Sequence, residues 1–193
     1  MQNAQVENRL TFRRLAQKLR VTLGFVIVPL LFIAARPTLG GLIIGFLISV
    51  LGLGIRAWAS GFLKKNQELT VSGPYAFTRN PLYLGTFIMA MGIALSTNSL
   101  WFIAVFLGLY LLIYIPVMLA EAETLNNLFP ADYASYRSRV PMFLPRLTPF
   151  RKSPVREGES GFSLQQYKKH REYRAALGVV VVYGLLAVKM VLM

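Results

Sequence analysis

The chain reads as an all-α integral membrane protein of about five transmembrane helices, with a helical hairpin in the middle and a cofactor pocket at the cytoplasmic face. Composition is the first ground for this: 55% of the 193 residues are hydrophobic and 15% charged. With a mean hydropathy of +0.51, the chain is far from the balance of a soluble domain. Segmentation is the second, because the apolar residues come in runs near the ~20 residues a helix needs to cross about 30 Å of hydrocarbon. The third is a polar, Gly-Pro-punctuated stretch at 67–85, which carries Arg79 and Asn80 between two apolar runs. At a membrane boundary, irregular backbone and a buried arginine are costly unless they line a site.

Val21–Ala35 and Leu39–Ala59 are the first two expected spans, the second interrupted only by glycines and Arg56. Basic residues before a short apolar run that ends at Ala34-Ala35 also have the form of a secretory signal. A second apolar run begins within a few residues, so a retained first helix is expected. Leu82–Leu95 is a shorter run, and the polar turn Ser96–Ser99 joins it to the almost unbroken Leu100–Ala120 as the hairpin. Glu121–Phe129 continues that helix out of the bilayer until Pro130 interrupts it. Asp132–Pro141 then gives a short helix with Tyr133 and Tyr136 on one side, read as packing residues. Pro141, Pro145, Pro149 and Pro154 keep the next stretch extended. Ser163-Leu-Gln-Gln166 is a capping-box pattern opening a last helix, with Phe162, Leu164, Tyr167 and Tyr173 at headgroup level. Ala175–Met193 is the final span. The organisation is therefore a basic segment at 1–20, a transmembrane core at 21–145, a basic arm at 146–174 and a C-terminal helix at 175–193.

Charge placement sets the orientation. All of the 21 Lys and Arg residues except Arg36 and Lys189 lie before the first span, from the end of the second (Arg56) to the third, or between the fourth and fifth. The positive-inside rule then places the N-terminus and both long loops in the cytoplasm and the C-terminus outside, in what is expected to be a bacterial inner membrane. A net charge of +13 raises nucleic acid as a partner. Topogenesis and contact with anionic headgroups account for it better, so membrane lipids are the expected partners and nucleic acid is not. Cysteine is absent, and His170, the only histidine, lies in a Lys-Lys-His-Arg run. Thiolate or histidine metal sites, a Cys nucleophile and a Ser–His pair are thereby argued against.

Chemistry has to come from other groups. Glu121 and Glu123 lie at the end of the fourth span and point to opposite sides of its helix. Glu121, nearest the bilayer and on the face of Leu125, is the carboxylate placed to face the membrane side. Both acids also fit as solvated helix-end residues. Arg79 suits either a ligand carboxylate or the loop backbone. Gly73, Pro74, Pro81 and Gly85 shape a turn and permit close helix packing.

Gly73-Pro-Tyr-x-x-x-Arg79-Asn-Pro-x-Tyr83-x-Gly85, followed by Glu121…Leu125…Phe129…Tyr133…Tyr136…Val140-Pro141…Leu144-Pro145, resembles the isoprenylcysteine carboxyl methyltransferase and phospholipid methyltransferase superfamily over roughly Gln67–Pro145. The resemblance implies an integral membrane enzyme that binds S-adenosylmethionine in a cytoplasm-facing pocket and methylates a lipophilic acceptor, an isoprenylcysteine-like carboxylate or a lipid headgroup. Carried over by position, Gln67, Glu68, Leu69 and Thr70 would contact the cofactor, with Tyr75 beside them. Asn80, Pro81, Leu82 and Tyr83 take the place of the family's His-Pro-x-Tyr contacts, and Glu121 matches its cofactor-binding glutamate. Arg79 and Glu121 are the catalytic candidates, and no metal is implied. Two positions depart from the pattern. Asn80 stands where histidine is commoner; its amide donates and accepts hydrogen bonds but does not titrate. Val117 stands where enzymes acting on prenylcysteine carry an arginine for the substrate carboxylate, which weighs against a carboxylate acceptor.

Methyl transfer from a sulfonium draws its reactive power from the cofactor. The protein has to position two reactants, keep water out and balance one positive charge, for which neither histidine, thiol nor metal is needed. Two other classes compete. An NADPH-dependent membrane reductase of the sterol reductase type carries a similar Gly-x-Tyr…Arg-x-Pro-x-Tyr block near its C-terminus, whereas here the block comes early and a further span follows. A small transporter or scaffold would place polar residues inside the spans, where only Ser49, Arg56, Ser60 and Lys189 stand out.

Overall fold

The computed structural model describes residues 32–33, 35–63, 68–151 and 161–193. The expected first span, Val21–Ala35, lies almost wholly outside them, as does Gln67. Among the described residues every regular element is helical: α1 (Leu39–Phe62), a 3₁₀ turn (Gly73–Ala76), α2 (Pro81–Ser96), α3 (Leu100–Leu128), α4 (Pro130–Arg139), α5 (Leu164–His170) and α6 (Tyr173–Leu192). Three of these, α1, α3 and α6, are long and apolar enough to cross a membrane. The hairpin's first arm, α2, has 16 residues, about 24 Å of helix, and is too short by that measure.

Local chemistry explains the boundaries. Thr38 caps α1, its hydroxyl accepting from the Gly41 N–H at 3.2 Å, and Ser99 caps α3 through the Phe102 N–H. Ser163 caps α5 through the Gln166 N–H, as its pattern predicts. Proline opens α2 and α4, where its missing N–H leaves no helical bond unmade. The helix that starts after Ser163 ends before the last span begins. Arg171 takes a left-handed conformation, φ 54°, and splits α5 from α6. Neither glycine nor proline marks that break.

The core of the bundle is the seam between α1 and α2. Gly45, Ser49, Gly52 and Arg56 of α1 face Gly85, Met89, Gly92 and Ser96 of α2. A Cβ on Gly92 would come 2.4 Å from the Gly45 carbonyl oxygen, and one on Gly52 would come 2.3 Å from the Met89 nitrogen. Side chains cannot exist there, so the two backbones touch. Tyr183 of α6 closes over the seam, its hydroxyl 3.0 Å from both the Ser49 and Ser96 hydroxyls. Two further polar residues of the spans are partnered on backbone carbonyls. Ser60 donates to the Ala57 carbonyl at 2.9 Å, and Lys189 donates to the carbonyls of Phe32 and Ile33.

Helix α3 has 29 residues and outlasts its hairpin partner. Its C-terminal end, bearing Glu121, therefore overhangs the loop that enters α2. That mismatch in length places the site.

Candidate functional site

The loop before α2 turns at Gly73, whose φ of 57° suits glycine and where a Cβ would meet the Phe62 ring at 2.7 Å. Irregular backbone at this level needs partners, and the segment after α4 supplies them. The Arg79 N–H donates to the Pro141 carbonyl at 3.0 Å. The Asn80 Nδ2 donates to Met142 O at 2.9 Å, and the Thr78 hydroxyl to Phe143 O at 2.9 Å. In return the N–H groups of Arg146 and Phe150 donate to the Phe77 and Ala76 carbonyls. The two motif blocks are thus one hydrogen-bonded layer.

Helix α4 clamps that layer. Tyr133 and Tyr136 are both buried, packed with Val71 and Val140, and the Tyr136 hydroxyl donates to the Tyr75 carbonyl at 2.6 Å. The packing role expected for these tyrosines is the one they have. Arg79 donates from Nη1 to the Tyr133 hydroxyl at 2.9 Å and lies 5.9 Å from its ring centroid. Its Nε is buried and has no hydrogen-bond partner. Such an orphaned donor is rare in a folded protein.

Across the layer, the Tyr83 hydroxyl donates to Glu121 Oε2 at 3.0 Å. Glu121 is half-buried, whereas Glu123 is exposed on the other side of α3. Burial pushes the Tyr75 phenol well above its ordinary pKa, and the Glu121 carboxylate, with Tyr136, Tyr83 and Glu172, pushes it further. Burial also raises the Tyr136 phenol, against the opposing effect of Arg79.

The expected site residues separate into two groups. Tyr83 and Glu121 meet at the junction, while Arg79 and Tyr75 are tied to α4 through Tyr133 and Tyr136. Asn80 spends its amide donor on the Met142 carbonyl, and Pro81 is fully buried as the first residue of α2. The Leu82 carbonyl accepts from Thr86 and Arg56 inside the bundle. Leu69 packs under the tyrosine cluster, Thr70 is half-buried beside it, and Glu68 is exposed.

Sequence reasoning missed an aromatic wall and an ion pair. The Tyr110 hydroxyl donates to the Tyr83 carbonyl at 2.7 Å. Its ring stacks on Tyr114 at 4.3 Å, and Tyr114 meets Tyr83 edge-on at 5.6 Å. The i, i+4 spacing of Tyr110 and Tyr114 was the available signal. Arg56 holds Glu172 through Nε at 2.9 Å and Nη2 at 3.0 Å. Here the signals were a lone arginine within an apolar run and a lone acid among the cations of 161–174.

The described residues form a helical protein with three helices long and apolar enough to cross a membrane, whose polar corner joins two separated chain segments. The chain belongs to the phospholipid methyltransferase family, whose sequence pattern it matches over residues 31–132. This agrees with the superfamily resemblance carried by the two motif blocks. It is 35% identical over 141 residues to the cobalt-zinc-cadmium resistance protein CzcN of Cupriavidus metallidurans, covering 68% of this chain and 64% of that protein. It is 34% identical over 98 residues to the nickel-cobalt-cadmium resistance protein NccN of Alcaligenes xylosoxydans xylosoxydans, covering 50% of this chain and 46% of that one. The match thus spans less than two thirds of either relative's length. No solved structure is significantly similar.

Proposed function

We propose that this protein transfers a methyl group from S-adenosylmethionine to a lipophilic acceptor that reaches it from the bilayer. The observation that carries the proposal is the Tyr83 hydroxyl on the Glu121 carboxylate, which joins the Arg-Asn-Pro corner to the acidic end of α3. The donor set suits the cofactor. Glu121 would hold its ammonium or ribose hydroxyls, the buried Arg79 Nε would reach its carboxylate, and Tyr75 and Tyr83 would flank it. When bound, the cofactor supplies an electrophilic methyl group on a sulfonium.

The chain's own residues do the rest. Tyr75, held neutral by burial and by Glu121, offers a hydroxyl and a ring without adding charge. Glu121 balances the ligand's positive charge at short range, where the low dielectric beside α2 and α3 makes the balance effective. The apolar wall of Tyr83, Tyr110 and Tyr114 excludes water on the bilayer side. Val117 in place of a cation favours a headgroup acceptor over a prenylcysteine carboxylate. In this reading the pocket faces the cytoplasm of a bacterial inner membrane, with the C-terminus outside. The metal-resistance names belong to the relatives. A chain with no cysteine offers no thiolate, and its one histidine a single imidazole, for capturing zinc, cobalt or cadmium, so its part in such a system would be modification of a membrane component.

Thermal-shift titration of the detergent-solubilised protein tests this. S-adenosylhomocysteine should raise the melting temperature and NADPH should leave it unchanged. The reverse pattern would replace the methyltransferase reading with a reductase of the sterol reductase type. Incubation with labelled cofactor and a total lipid extract should then place label in a lipid-soluble product.

A further inference from the structure

The C-terminal unit, α5 with α6, lies outside the family match at 31–132, yet it is bound to the core at four places. The Phe162 ring lies where a Cβ on Gly61 would be, 2.3 Å away, and the Ser163 N–H donates to the Gly61 carbonyl. Tyr183 sits on the Ser49–Ser96 seam, and Lys189 reaches the carbonyls of Phe32 and Ile33. The fourth contact is of another kind. Glu172, brought inward by the left-handed turn at Arg171, takes the Arg56 guanidinium in a fork, with side chains 11% and 20% exposed. The remaining Arg56 nitrogen, Nη1, donates to the Leu82 carbonyl at 3.4 Å and to the Thr86 hydroxyl. Those two acceptors lie in the first turns of α2, one residue before and three residues after Tyr83.

We infer that Glu172, acting through Arg56, is a positioning residue for the start of α2 and so for the Tyr83 hydroxyl on Glu121. A guanidinium has five donors in a fixed plane, so fixing two of its nitrogens on a carboxylate fixes the direction of the third. Leu82 and Thr86 then have a donor at a set place, and the helix start bearing Tyr83 cannot rotate without losing it. The inference rests on the reading of Tyr83 and Glu121 as the cofactor wall, but its mechanical part does not.

The full-length protein is tested in two ways. Hydrogen exchange should quicken over residues 81–86 in Glu172→Gln and in Thr86→Val, with Gly92–Ser96 at the far end of α2 unchanged. Lys189→Met cuts a different tie of α6 and should leave 81–86 as in the wild type. Calorimetry with S-adenosylhomocysteine should show about a tenfold loss of affinity in Glu172→Gln, within the usual range for coupling between two sites. That loss should vanish in an Arg56→Ala background, since the effect passes through Arg56. Exchange that rises evenly along α2, or not at all, overturns the positioning role, as does a loss additive with Arg56→Ala. If exchange responds as stated while the wild type binds no S-adenosylhomocysteine, the positioning holds and the methyltransferase reading fails.

Discussion

The Tyr83 hydroxyl and the Glu121 carboxylate, 38 residues apart in the chain, meet at 3.0 Å. The bond depends on a length mismatch: α2 ends its hairpin arm early, and the 29-residue α3 carries Glu121 past it. Glu123, two residues on, is exposed on the opposite side. Glu121→Gln should therefore weaken S-adenosylhomocysteine binding by about 10–100-fold, the size of a charge-assisted hydrogen bond at ~1.5–3 kcal/mol. Glu123→Gln should change it by less than about twofold, within the usual range for a surface substitution. Isothermal calorimetry on both variants decides, and equal losses would show that Glu121 does not face the ligand.

Asn80 ties down the strap at 141–150 that follows α4. Its Nδ2 donates to the Met142 carbonyl at 2.9 Å from a side chain only 9% exposed. Asn80→Asp replaces that donor with a carboxylate against a carbonyl, leaving a buried acceptor unpaired at about 1–3 kcal/mol. The variant should melt several degrees lower, and limited proteolysis should cut between Pro141 and Phe150 sooner than in the wild type. Wild-type cleavage there would mean the strap is held by its other bonds alone.

How much of this was legible follows from the range of each signal. Apolar runs are local, so α1, α3 and α6 stand close to where the sequence places them. Pro130 ends α3 where proline must. The two motif blocks were visible and do meet. What the sequence hides is which atoms they use. Asn80 is spent on a backbone carbonyl 62 residues away, and a carbonyl leaves no trace in residue identity. The partner of Arg56 lies 116 residues on, beyond any helical period. The break at Arg171 is a left-handed arginine, a conformation that residue type does not announce.

The seam between α1 and α2 gives a stability prediction. Gly92→Ala forces a methyl to within 2.4 Å of the Gly45 carbonyl, so the helices must part. Overpacking of this kind costs about 1–3 kcal/mol. Gly54, on the same α1 helix, has nothing within 4 Å of the added atom, and Gly54→Ala should be neutral or stabilising by up to about 1 kcal/mol through helix propensity. Melting temperatures in the same detergent compare the pair. A Gly92→Ala protein as stable as Gly54→Ala would mean that the seam is not a close contact in the folded protein.

Burial of the phenols sets a pH limit. Tyr75 and Tyr136 are both raised above the ordinary tyrosine value of 10.0, burial being the largest cause in each. The folded protein keeps these protons at a pH where the unfolded chain gives them up. Their contribution is therefore fully present below about pH 10 and is lost as pH rises above it, at up to ~1.4 kcal/mol per pH unit for each group. Melting temperature should hold steady from pH 8 to 9.5 and fall between pH 10 and 11. In Tyr136→Phe the melting temperature should start lower, because the Tyr75 carbonyl loses its donor. Its decline above pH 10 should be shallower, because one of the two ionising groups is gone. An unchanged slope in that variant would show that Tyr136 ionises as freely in the folded protein as in the unfolded one.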